Sequence, residues 1–260
     1  MRTEPDPDAV ALARFLERNA PVLAFTGAGV STASGLPDFR SPGGLWERLD
    51  PMVDGHVDML VRDPARVWQC WAEPLVGTSI AHNPAHDALA RLEARGFVSG
   101  VVTQNIDGLH HAAGSIAVEV HGHLRTARCM RCGAEEEMAP ALARYAENRR
   151  APECLVCGGT LRPQVVLFGE PLPGSAWGLA SALVASSGGC LCVGTSLQVY
   201  PAAGLAEAFA RDGRPLAIVS REATALWEDA DPRLLRSAEE LLPAVAAILL
   251  ADPPDEPASP

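Results

Sequence analysis

Short apolar runs rich in β-branched residues recur along the chain at residues 22–26, 98–103, 165–168, 190–194 and 216–219. Between them, apolar positions return every three or four residues, the period of a helix that buries one face. Strands that are apolar almost throughout, alternating with such helices, predict a parallel sheet covered on both sides. Helix ends are marked by local chemistry. Asn83-Pro84 is a cap followed by proline at the first helical position, and Leu89 and Leu92 lead to a Gly96 stop. Further helices are expected over 175–187 before Gly188 and over 202–212 before Gly213, and Ser237 with Glu240 reads as a capping box for the last one.

Two stretches break the alternation. Residues 41–79 contain proline and tryptophan with weak periodicity, and are expected to form a loop and a small helical insertion. Residues 123–163 hold paired cysteines and form a second insertion. The predicted fold is therefore α/β: a Rossmann-like parallel sheet with helices on both faces, built from 9–40, 80–122 and 164–250, plus a smaller zinc-binding and helical insertion domain. The ends, 1–8 and 251–260, combine proline with acidic residues, offer little to bury, and are expected to be disordered tails.

Composition narrows the class further. The chain has 260 residues, 48% hydrophobic and 20% charged, with no apolar run near the ~18 residues a membrane span requires. No membrane association is expected, and the acidic, proline-containing start does not resemble a secretory signal, so the expected location is cytoplasmic. A formal charge of -11 disfavours nucleic acid phosphates as partners and favours basic protein segments.

Of seven cysteines, four form two Cys-x-x-Cys pairs, Cys129/Cys132 and Cys154/Cys157. Two such knuckles close a tetrahedral zinc site. Four thiolates leave no coordination position open to a substrate, so this zinc, one per chain, is expected to be structural. Cys70, Cys190 and Cys192 read as small buried hydrophobes.

Immediately after the first strand stands GAGVSTASGLPDFR, residues 27–40. Small residues between a strand and a helix let backbone N–H groups approach a pyrophosphate. The phrase lacks the last glycine of the dehydrogenase fingerprint, Thr32 standing there, so by itself it is also compatible with an ordinary turn. TQNIDGLH, residues 103–110, follows the second strand and puts amide and carboxylate groups where parallel sheets bind ligands, although an Asn/Asp-rich turn would read the same. His121, in the phrase VHG, has an ordinary titration range suited to a general base.

Taken together, these phrases with LRPQVVLFGE (161–170) and VGTSLQVYPAA (193–203) resemble the sirtuin family, of bacterial type, in family order over most of the chain. The resemblance implies NAD-dependent removal of small neutral acyl groups such as acetyl from protein lysines, with nicotinamide and O-acetyl-ADP-ribose released. It implies NAD as co-substrate and acetylated lysine-containing proteins as partners. In that chemistry the acyl oxygen attacks the nicotinamide ribose at C1′, and a histidine base then activates a ribose hydroxyl. Carried over by motif, His121 is the base, and Asn105 and Asp107 hold the nicotinamide and the attack geometry. Gln104 meets the ribose, and Ile106 lies in the nicotinamide pocket. Gly27, Ala28, Gly29 and Thr32 cradle the pyrophosphate, and Phe39 and Arg40 cover it from a loop. Gly194, Thr195 and Ser196 line the adenosine side. The 165–169 stretch receives the substrate by strand addition, with Val166, Phe168 and Gly169 at the acyl-lysine channel.

Two departures matter. Ser220 stands where the family usually has an asparagine against the adenosine ribose, and a hydroxyl offers fewer bonding sites than an amide. The tyrosine and arginine that recognise acidic acyl groups in some members align with Trp71 and Pro74 here. Two other readings stay open: an ADP-ribosyltransferase working from the same NAD site, and a zinc-ribbon binding module with a vestigial one.

Overall fold

The computed structural model describes residues 4–36 and 50–251. Six parallel strands form the main sheet: β1 (Val22–Thr26), β2 (Val98–Thr103), β3 (Ala117–Glu119), β7 (Gly189–Val193), β8 (Leu216–Ser220) and β9 (Arg233–Leu235). Their order is β3-β2-β1-β7-β8-β9, with Thr26 level with Thr103 on one side and Val193 on the other. Alternate side chains of the inner strands enter opposite cores. Val22, Ala24, Val101, Leu191 and Val219 meet helices α1 (Pro7–Asn19), α5 (Pro84–Ala94) and α10 (Ala238–Leu249). Leu23, Phe25, Val102, Cys192 and Ile218 meet α8 (Gly174–Ser186) and α9 (Ala203–Arg211). Burial of both sheet faces explains why these strands read as continuous apolar runs.

A three-stranded antiparallel sheet, ordered β5-β4-β6, makes the second lobe from β4 (Gly122–Cys129), β5 (Glu135–Glu137) and β6 (Leu161–Val165), with α7 (Met138–Asn148) packed on it. The helical insertion joins this lobe: α2 (Pro51–Asp54), α3 (Met59–Arg62) and α4 (Pro64–Trp71) are short, and α4 supplies Trp68 to the same core. The Trp68 indole N–H donates to the Leu161 carbonyl at 2.9 Å, and its ring stacks on Tyr145 with centroids 5.8 Å apart. Two insertions far apart in sequence thus share one hydrophobic centre. A short helix α6 (Leu109–Ala112) completes the element set described.

Four expectations are corrected. The 165–168 run is not a strand: β6 ends at Val165, opposite Gly122, and the chain then leaves the sheet, with Phe168 held by a bridge to His56 of the helical insertion. The acidic start is not a tail as far as residue 8, because Asp6 caps α1 by accepting from the Asp8 amide at 2.9 Å, and Pro7 occupies the first turn. Arg236 then pairs with both carboxylates, at 2.8 Å each. No capping box forms at α10, since the Ser237 hydroxyl is buried without a partner among the described residues and the acid in use there is Glu239, paired with Arg221 at 2.6 Å. Finally, the glycine phrase enters two 3₁₀ turns, Ala28–Val30 and Thr32–Ser34, and not an α-helix.

Because Trp68 is fully buried at the junction of the two insertions, Trp68→Ala should cost about 3–5 kcal/mol. Chemical denaturation followed by tryptophan fluorescence and by hydrogen exchange of α7 should show the loss centred in the small lobe; unchanged protection of α7 would contradict the shared core.

Candidate active site

The carboxyl ends of β1, β2, β7 and β8 open onto a cavity of about 440 Å³ that reaches across to the small lobe. Its floor is made by two loops in backbone contact. The amides of Gly27 and Gly29 donate to the carbonyls of Val193 and Gly194 at 3.1 and 2.8 Å. A Cβ on Gly29 would stand 2.8 Å from the Gly194 Cα, and one on Gly27 at 2.8 Å from the Thr195 Cβ, so glycine is required by this approach. Gly194 has φ of 58° and would collide with Val30 if it carried a side chain. The glycines were expected to bring their amides to a pyrophosphate. Those two amides are occupied within the protein, and what the glycines provide is room; Ala28 and Thr32 line the cavity beside them.

Behind the floor, the end of β2 is locked to the glycine phrase by side chains. The Asn105 amide donates to the Gly27 carbonyl and to the Ser31 hydroxyl, both at 3.1 Å, and the Ser31 hydroxyl donates to Asp107 at 2.8 Å. Asp107 also accepts from the Leu109 amide at 2.9 Å. Burial raises its carboxyl above the ordinary range, against these hydrogen bonds. Asn105, Gln104 and Ile106 line the cavity, whereas Asp107 does not: it stands one layer back and acts on the wall through Ser31. Ser31 gave no signal of its own in the sequence beyond membership of the glycine phrase. Gln104 reaches across to Thr195, its amide donating to the hydroxyl at 2.7 Å.

His121 follows β3 and lines the cavity. Its Nδ1 lies 3.1 Å from the Gln104 carbonyl, which can only accept, so Nδ1 carries the proton and Nε2 keeps a lone pair. Burial lowers the ring's pKa from the ordinary 6.5, and the bond to Gln104 offsets part of that. A neutral imidazole with a free Nε2 is the form a general base requires. Gly122 beside it, with φ of 78°, packs against the Gln164 backbone, so the glycine serves the turn into β4 and not the freedom of the imidazole.

Val166, Phe168 and Gly169 face the same cavity, near Trp71. The amides of Val166 and Phe168 donate to the carbonyls of His121 and Gly55, and that of Leu167 to Glu170. Gly169 has φ of 87°, and a Cβ there would stand 2.6 Å from the His56 ring. At the far end lie Gly194, Thr195, Ser196 and Ser220, with Arg221 and Arg236. The Ser220 hydroxyl accepts from the Glu222 amide at 3.3 Å, so it already closes a turn. Arg221, Arg236 and Thr224 are lining residues outside every quoted phrase, and Tyr200 lines the cavity from within VGTSLQVYPAA without a role assigned to it. Phe39 and Arg40 lie outside the described residues.

None of the four paired cysteines lines the cavity. Their sulfur atoms lie within 4.8 Å of one another, the closest pairs at 3.5 and 3.8 Å. A tetrahedron with Zn–S near 2.3 Å has sulfurs about 3.8 Å apart, so the cluster fits zinc. Amides of Arg131, Cys132 and Gly159 point at these sulfurs, stabilising thiolate charge. Gly133 and Gly158 turn each knuckle with φ of 73° and 69°.

The Sir2 family model matches residues 27–201. The chain is 44% identical over 89% of its length to an NAD-dependent protein deacetylase of Caldivirga maquilingensis, covering 90% of that protein. An NAD-dependent protein deacetylase of Streptomyces coelicolor is 41% identical over 86% of this chain and 95% of its own. The relatives found are mostly archaeal. A solved structure of a Sir2 enzyme superposes with a TM-score of 0.86 at 34% identity, covering 94% of this chain and 98% of that one. Another, of Sir2 with a p53 peptide and NAD+, gives 0.80 at 32%, covering 89% and 94%.

Loss of the metal should unfold the small lobe before it touches the cavity. Cys154→Ser should lose bound zinc, measured by metal analysis, and lower the melting temperature; a variant that is metal-free yet melts with the parent would show the cluster to be dispensable.

Proposed function

The chain belongs to the Sir2 family, and from that premise we propose that it is an NAD-dependent protein lysine deacetylase whose base is His121. The observation that carries this reading is the placement of a neutral, Nδ1-protonated His121 in one cavity with Asn105, Ile106 and the paired glycine loops. Asn105 and Ile106 receive the nicotinamide, with Asp107 acting through Ser31. Ala28 and Thr32 flank the pyrophosphate, Gln104 the ribose, and Gly194, Thr195, Ser196 and Ser220 the adenosine. His121 takes the proton of a ribose hydroxyl at Nε2 once nicotinamide has left, so that the hydroxyl oxygen can attack the acyl carbon. Zinc, held by Cys129, Cys132, Cys154 and Cys157, fixes the small lobe and takes no part in the chemistry. The acylated lysine enters between Val166 and Phe168, meeting their side chains and Gly169. A cytoplasmic, reducing setting fits seven cysteines free of disulfides. No helix among the described residues is long and apolar enough to cross a membrane.

A small neutral acyl group is the preferred substrate. Among the described residues lining the cavity, the arginines are Arg221 and Arg236, both at the Ser220 end and both paired with carboxylates. Arg66, the nearest basic candidate on α4, is tied to Asp54 at 2.8 Å and lies outside the cavity wall. Beside Trp71 the described residues offer a succinyl carboxylate no counter-charge, so its desolvation would cost several kcal/mol. With NAD and one peptide bearing acetyl-lysine or succinyl-lysine, mass spectrometry should find O-acetyl-ADP-ribose and a higher kcat/KM for the acetyl form. ADP-ribosylated peptide in its place would favour the transferase reading, and a succinyl preference would refute the acyl assignment.

His121→Ala should fold normally and lose nearly all deacetylation. Since burial lowers the ring's pKa, the base stays unprotonated into mildly acidic solution, and the acid limb of kcat/KM in the parent should fall below pH 6.5. Activity within about tenfold of the parent, only ~1.4 kcal/mol of barrier, would show that another group does this work.

A further inference from the structure

Under the cavity floor lies a second histidine that the reaction as described leaves unused. His110, on α6, is 2% exposed. Its Nε2 is 2.9 Å from the Thr26 hydroxyl at the end of β1. The Thr26 hydroxyl donates to the Thr103 hydroxyl, level with it at the end of β2, at 2.8 Å. The Thr103 oxygen also accepts the backbone amide of Asn105 at 3.0 Å. The direction of the Thr26 bond sets the roles along this chain. Thr26 gives its single proton to Thr103, so toward His110 it can only accept, and Nε2 must carry the imidazole proton. Both lone pairs of the Thr103 oxygen are then filled, one by Thr26 and one by Asn105.

We propose that His110 is a positioning residue for the nicotinamide end of the site, holding Asn105 in place through the Thr26 and Thr103 hydroxyls. The inference rests on the reading of Asn105 as a nicotinamide-binding residue. Two independent anchors then converge on that one residue: its side-chain amide is fixed from Gly27 and Ser31, and its backbone from His110. With the side-chain nitrogen tied back by two bonds, Oδ1 is the atom of that amide left to meet a ligand in the cavity that Asn105 lines. The Nδ1 of His110 is buried with no partner among the described residues. Burial first, and then the neighbouring His86 and His111, depress the ring's pKa to about 3, so His110 works as a fixed neutral donor and never as an acid or base. The contact of its ring edge with His86, centroids 4.7 Å apart, holds it in register.

A structural filler and a hydrogen-bonded positioner respond differently to substitution. His110→Gln can return an N–H to Thr26, whereas His110→Leu fills space without one. In the leucine variant, kcat for deacetylation should drop by roughly tenfold or more, as for a misplaced catalytic contact, with KM for NAD changed less than about twofold. His110→Gln should recover most of that loss, and neither variant should move the acid limb set by His121. A reading that does not depend on activity accompanies the kinetics: hydrogen exchange of the Asn105 amide should quicken in His110→Leu and slow again in His110→Gln. Equal kcat in parent and leucine variant, or Asn105 exchange that is indifferent to the substitution, would overturn the proposal. Absence of NAD-dependent deacetylation in the parent would count against the functional reading instead, and the exchange experiment would still decide the role of His110.

Discussion

Everything in the larger lobe that bears on chemistry depends on two backbones touching. The turn after β1 and the turn after β7 lie against one another so closely that Gly27, Gly29 and Gly194 have no room for a Cβ, and their peptide groups hydrogen-bond across the gap. This contact sits where the strand order departs to either side of β1, the place at which parallel sheets leave a crevice above their carboxyl ends. Once the two turns are clamped, β2 can deliver Gln104 and Asn105 to the same wall, because Gln104 bonds to Thr195 of one turn and Asn105 to Gly27 of the other. The cavity is thus a by-product of close packing between glycines, and its polar lining is fixed before any ligand arrives.

That dependence explains what could and could not be read in the chain. Strands β1, β2 and β8 and helix α5 were legible because burial on both faces and proline-led caps leave unambiguous marks. The paired cysteines were legible because metal geometry dictates their spacing. The glycine phrase was legible as a site but not in its workings, since a missing side chain looks the same whether a phosphate or another backbone takes the space. The bond between Asp107 and Ser31 was not legible, because the Ser31 hydroxyl has no periodic signature. The 165–168 run misled for a related reason: apolar side chains that line a channel alternate and branch as those of a strand do, and only the bridge to His56 distinguishes them. Asp6-Pro7-Asp8 could have been recognised, since an acid followed by proline is a helix start even in a segment otherwise rich in charge.

The small lobe uses a different economy. Its sheet has three short strands and is too small to supply much buried area, so Trp68, Tyr145 and the buried cysteines Cys129 and Cys154 share one small core that the four-cysteine cluster reinforces. The helical insertion gains from the arrangement as well. Lacking a face large enough to stand alone, it borrows the Leu161 carbonyl and the core of the three-stranded sheet, and through His56 it steadies the 166–169 segment that lines the cavity.

Helix α10 has a consequence for how the molecule is made. Leu241, Leu242, Val245 and Ala246 lie in the same core as Leu12 and Leu16 of α1 and Leu89 and Leu92 of α5. Arg236, just ahead of it, grips the cap of α1. On the ribosome α1 and α5 emerge long before α10, and the part of this sheet face that α10 covers stays open to water and to other chains until nearly the last of the described residues has left the exit tunnel. Attachment of helices to that face cannot be completed strand by strand, so premature termination anywhere upstream of α10 yields a sticky intermediate in place of a smaller stable domain.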